Sequence, residues 1–150
     1  AVVLLENYAH LQSENKDQET RRGSDALSRI INVSGRQRML TQRMFLFTLS
    51  NFQSIGDQPE QRRKFNRSLS DFRIALKELM SCPQNTEEID GQLLMVNKLW
   101  DNIEPALVDI LDTDEPTIQQ REELIKALKK SEQVLFALDE IVFLYERIAD

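Results

Sequence analysis

Apolar residues recur every three or four positions through most of this chain, the period of helices that bury one face. Over residues 59–80 the apolar set is Phe65, Leu69, Phe72, Leu76 and Leu79. Over about 86–111 it is Ile89, Leu93, Val96, Trp100, Ile103, Leu107 and Ile110. A further run, 116–149, carries Ile118, Ile125, Leu128, Leu135, Leu138, Val142 and Tyr145 on a broad apolar face. Trp100 and Phe136 are both expected in the core. Pro105 removes a backbone donor and crowds the preceding turn, so it is expected to kink its helix.

The stretch 24–54 is patterned differently. One seam runs Leu27, Ile31, Ser34, Arg38, Thr41, Phe45, Leu49 and Phe52, and a second runs Ile30, Val33, Gln37, Leu40, Met44 and Phe47. At about 100° per residue the seams stand roughly 110° apart, which predicts a helix burying two faces, one in its own bundle and one against a partner chain. Arg29, Arg36 and Arg43, spaced by seven, fall on the exposed remainder with Asn32 and Ser50.

The breaks between these runs are short. Gly56-Asp57-Gln58-Pro59 reads as a turn with Pro59 at the first helical position. Ser81–Asn85 ends the next helix, and Asn85 with Glu88 has the form of a capping box. Asp112-Thr113-Asp114-Glu115-Pro116 is an acidic turn. Residues 1–23 form a helical lead-in, turning from apolar to charged. Around Gly23 and Ser24 the helix either breaks, with Ser24 as cap, or runs straight through. Four long amphipathic helices on three short connections predict an all-α, antiparallel up-down-up-down four-helix bundle, with residues 1–150 as one domain. Both ends of the chain read as cut, so the lead-in is expected to descend from a transmembrane helix.

Composition narrows the function. The net charge of −6 argues against nucleic acid, whose binding needs a basic face. Against that acidic background, residues 24–54 hold Arg29, Arg36, Arg38 and Arg43 with Asp25 as their only acid. The single cysteine, Cys82, excludes an internal disulfide and reads as a small apolar filler. The single histidine, His10, reads as a surface residue. Together they supply no zinc set, no paired Glu-x-x-His motifs for a di-metal site and no nucleophilic triad. The Asp112, Asp114, Glu115 cluster lacks the glycine and bidentate glutamate of a calcium loop. The expectation is a non-enzymatic chain with no metal and no cofactor.

Two residues of the first helix break local rules. Arg38 lies on a seam where bundles place leucine, and an unpaired buried charge costs several kcal/mol. Either it snorkels or pairs with a carboxylate from a neighbouring helix, or its donor fork holds an exogenous anion. Gly35, one turn earlier, costs about 1 kcal/mol relative to alanine and could admit an anion or another helix close to the backbone. Ser34, Thr41 and Gln42 add neutral hydrogen-bonding groups. If this seam is a dimer face, two copies of Arg38 would repel until an anion lay between them.

The run Ile31-Asn32-Val33-Ser34-Gly35-Arg36-Gln37-Arg38-Met39-Leu40-Thr41-Gln42-Arg43-Met44 resembles the signature of the periplasmic sensory module of type IV pilus-type methyl-accepting chemotaxis transducers. It is also similar to the P-box of bacterial nitrate/nitrite sensor histidine kinases. Arg36-Gln37-Arg38 stands where those kinases have Ser-Leu-Arg, nearer the chemotaxis form. The resemblance implies a periplasmic four-helix sensor domain of an inner-membrane receptor, set between two transmembrane helices. It implies a homodimer through helix 24–54, with nitrate or nitrite bound at the subunit interface. It places the family's anion-contacting arginine on Arg38, its glycine on Gly35 and its second arginine on Arg43, which the wheel puts away from Arg38. Arg43 and Arg36 are therefore given supporting roles. The competing expectation is a protein-binding or scaffold bundle in which Arg38 meets an acidic partner.

Overall fold

The computed structural model describes the backbone from Val2 to Asp150 and the side chains of Asn15, Gln18 and every residue from Arg21 onward. His10 and the apolar opening lie outside the residues with described side chains. Four helices follow in order: α1 Val2–Phe52, α2 Gln58–Met80, α3 Glu87–Leu111 and α4 Ile118–Ala149. The expected all-α, up-down-up-down bundle is the observed fold. α1 continues through Gly23 and Ser24 without a break, so Ser24 caps nothing.

Each connection is short because its ends are capped locally. Past Phe52 the chain leaves the helix with Ser54 in the left-handed region at φ 56°, while the Ile55 amide returns to the Ser50 carbonyl at 2.8 Å. Asp57 then caps α2, accepting from the Glu60 amide, with Pro59 in the first turn, one residue after the first helical position expected for it. The α3 cap is Thr86, which accepts from the Ile89 amide at 3.2 Å, and not Asn85. Asn85 is engaged elsewhere, donating to the Leu79 carbonyl at 2.7 Å and accepting from the Tyr145 hydroxyl at 2.6 Å. At α4, Thr117 and Gln120 form a reciprocal capping box.

α2 and α3 bury the residues their periodicity predicts. α1 lies between α2 and α4, and α3 packs mainly on α4. α2 and α3 stand further apart, bridged by the Phe72 and Trp100 rings at 4.7 Å between centroids. Glu104 reinforces that bridge, accepting from Trp100 Nε1 at 3.0 Å and Arg73 Nε at 3.0 Å.

α4 departs from expectation. Its buried stripe is Leu124, Ala127, Ser131, Val134, Leu138, Ile141 and Tyr145, while Ile118 and Ile125 are exposed and Leu128, Leu135 and Val142 only partly covered. Small Ala and Ser occupy seam positions, where they allow close approach of helices, so counting large apolar residues rotates the face. Phe136, expected in the core, is 73% exposed.

α1 departs further. Instead of two separate buried faces it has one, drawn from both seams: Leu27, Ile30, Ser34, Gln37, Thr41, Met44, Thr48 and Asn51, alternating by three and four, with Leu40 and Phe45 beside it. Five of these eight are polar. Ser34, Thr41 and Thr48 return their hydroxyls to carbonyls of α1 itself, at Ile31, Gln37 and Met44. Only Gln37 and Asn51 reach other helices, donating to the Phe72 carbonyl at 3.0 Å and the Ile110 carbonyl at 3.2 Å. Gln37 Oε1 is buried without a partner. α1 is thus seated on its own bundle with few apolar knobs and two polar pins.

Candidate functional site

Arg38 does not sit in the core. It stands on the flank of α1 that faces α4, its side chain 48% exposed, with Nη1 donating to Asp139 Oδ2 at 2.6 Å. Asp139 is itself 53% exposed, so solvent screens the pair and its worth is about 0–1 kcal/mol. This is the carboxylate pairing that the periodicity allowed for, and it leaves the guanidinium only lightly held. Its remaining N–H groups make no hydrogen bond among the described residues.

The other expected site residues divide. Gly35 and Gln42 are exposed on the outer surface of α1, on the same side as Arg38. A Cβ built on Gly35 meets nothing within 4 Å, so the fold of one chain does not require glycine there. Ser34 and Thr41 are fully buried, their hydroxyls bonded back to their own helix, and they line the inner seam rather than the Arg38 surface. Arg36 and Arg43 lie on the opposite flank, in the groove between α1 and α2.

What the sequence reading missed is the contribution of α4. Asp139, Phe136 and Phe143 share an outer stripe with Ile125 and Glu132, all exposed. On α1, Met39 and Leu46 are likewise exposed, Leu46 at 59%. The 3-4 spacing of Glu132, Phe136, Asp139 and Phe143 is visible in the sequence, but it reads as an outer face only after Ala127 and Ser131 are placed on the inner one. Around Arg38 there is therefore an acid from α4 and an uncovered apolar surface on both helices.

The family model for the N-terminal region of type IV pili methyl-accepting chemotaxis transducers, PilJ, matches residues 20–124. That span holds the whole arginine-bearing signature and all of α2 and α3. The chain belongs to this family. The fold is shared with the ligand-binding domain of the P. aeruginosa nitrate receptor McpN, with a TM-score of 0.67 over 80% of this chain and 95% of that one at 22% identity. No curated protein matches the chain.

This PilJ-type chain is therefore a sensor domain with the architecture of chemoreceptor ligand-binding domains. Among the described residues there is no group of His, Cys, Asp and Glu that could hold a metal, and no helix long and apolar enough to cross a membrane.

Proposed function

We propose that this chain is the extracytoplasmic ligand-binding domain of a bacterial transmembrane receptor, dimeric through residues 24–54 of α1. Its ligand is a small planar oxyanion, nitrate or nitrite, held at the dimer interface between Arg38 and Arg38 of the partner subunit. Transmembrane helices outside the chain anchor it, and the output module is a chemotaxis transducer, a histidine kinase or a cyclase.

The observation that carries this reading is the setting of Arg38: a signature arginine half-exposed on α1, beside Gly35 and Gln42, with one weakly held carboxylate and an uncovered apolar surface around it. Two guanidinium groups brought together across a twofold axis repel, and a delocalised anion between them converts repulsion into charge-assisted hydrogen bonds. Gly35 leaves the helix backbone open to close approach from outside the chain. The nitrate specificity named for McpN supports this choice of anion by analogy of fold.

Binding then has a mechanical consequence. The anion competes with Asp139 for Arg38, loosening the tie between α1 and α4. The polar seam of α1 opposes a small shift with only two interhelical hydrogen bonds, at Gln37 and Asn51. A population shift between two seatings of α1 would carry the signal toward the membrane.

Calorimetry with nitrate, nitrite and larger anions, on the wild-type domain and on Arg38→Ala, tests the proposal. Saturable binding that Arg38→Ala abolishes is expected. If the dimeric wild-type domain binds none of these anions, the sensor of small oxyanions is excluded and a protein-docking bundle takes its place.

A further inference from the structure

Most arginines of the bundle are spoken for. From Leu27 onward there are ten. Arg29, Arg38, Arg62, Arg63 and Arg73 each have a carboxylate within 4.0 Å. Arg121 and Arg147 lie over the rings of Phe52 and Phe143. Three remain, Arg36, Arg43 and Arg67, with no ion pair or stacked ring among the described residues, and all three line one groove between α1 and α2.

That groove has a volume of about 470 Å³ and is completed by Lys64, Asp71, Ser68 and Phe47. Four cations thus face one carboxylate of the lining, in a protein of net charge −6. Lys64 has only a long contact to Glu60, at 3.9 Å, and Glu60 also pairs with Arg63. Like charges gathered in one groove destabilise one another until a counter-charge arrives. Every arginine from Leu27 onward without a partner among the described residues lines this one groove.

We propose that the α1/α2 groove is a second anion site, taking a multivalent oxyanion of the size of a tricarboxylate or pyrophosphate. Charge sets the valence, since a monovalent ion leaves most of the excess unmatched. Size agrees, because the groove falls within the range of about 300–1,000 Å³ usual for organic ligands. Arg36, Arg43 and Arg67 supply forked donors suited to carboxylate or phosphate, Lys64 a point charge, and Phe47 an apolar wall for carbon atoms. The site is distinct from Arg38. On α1, Arg36 and Arg43 project about 140–160° away from it at 100° per residue. A ligand here would clamp α1 to α2 from the flank opposite the Arg38 surface.

The test is titration of the 150-residue domain with citrate and with pyrophosphate, read by calorimetry and thermal shift, at ionic strength matched with sodium chloride. Saturable binding by either probe, with a raised Tm, is the expected result. The stronger probe tells whether carbon backbone or phosphate charge is preferred. Arg43→Glu and Arg67→Glu, both at exposed positions, should each weaken binding about tenfold or more, the loss of a charge-assisted bond. Arg38→Ala should leave the affinity for these probes unaltered, which separates this site from the proposed nitrate site. The proposal is overturned by no binding beyond the chloride control, by binding indifferent to both reversals, or by binding that Arg38→Ala removes.

Discussion

Replacing Gln37 by Met should stabilise the domain, although it removes one of only two hydrogen bonds by which the buried seam of α1 reaches other helices. The side chain is fully buried, its Nε2 donates to the Phe72 carbonyl at 3.0 Å, and its Oε1 has no partner. Relieving a buried orphan acceptor recovers about 1–3 kcal/mol, and losing one neutral hydrogen bond costs about 0.5–1.5 kcal/mol. The Phe72 carbonyl keeps its own helical bond, so the loss creates no new orphan. Methionine has nearly the same length and adds apolar burial worth about 1 kcal/mol or more, which tips the balance. A net gain of about 2 kcal/mol raises Tm by roughly 4–8 °C for a domain of this size. The assay is thermal and urea denaturation of wild type and Gln37→Met at one fixed protein concentration, because dimerisation would shift both. An unchanged or lowered Tm would refute the reasoning, since it would mean that the polar seam contributes stability rather than looseness.

Three other substitutions have distinct expected outcomes. Gly35→Ala should raise the stability of the unliganded chain by about 0.5–1 kcal/mol, because helix propensity improves and the new Cβ meets nothing within the chain; on the proposed dimer it should weaken nitrate binding, which calorimetry would show. Asp139→Asn should tighten nitrate binding by up to about fivefold, the worth of removing an exposed competing carboxylate; an unchanged affinity would remove Asp139 from the account. Tyr145 is buried, and burial first, then the nearby Cys82 and Asp90, push its hydroxyl well above the usual tyrosine range. The unfolded tyrosine ionises from about pH 10 while the folded one stays protonated, so stability should fall as pH rises past 10. Tyr145→Phe should flatten that alkaline limb in pH-dependent denaturation, and a limb of unchanged slope would contradict the assignment.

How much of this was legible in the residues differs from helix to helix. α2 and α3 are readable because their buried positions hold large apolar side chains throughout, as at Phe65, Phe72, Trp100 and Leu107. α4 is harder, since Ala127, Ser131 and Ala137 are buried while Phe136 and Phe143 are not, which inverts the usual relation of size to burial. In α1 the polar seam hides the inner face. A reader following large apolar residues finds two seams and sets Arg38 within one, whereas Ser34, Gln37, Thr41 and Thr48 carry a single seam between them. That Arg38 belongs to a distinctive run of residues was visible in the sequence. That its carboxylate would come from α4 depended on a rotation of α4 that the apolar pattern obscured.

The proposed nitrate site is completed by two chains, and the stoichiometry of nitrate binding by the dimeric domain tests this most directly. Calorimetry combined with sedimentation of the same sample should give about one nitrate per two chains, with nitrate favouring the dimer and Arg38→Ala removing both effects. One nitrate per chain, or nitrate binding by a domain that stays monomeric, would contradict it.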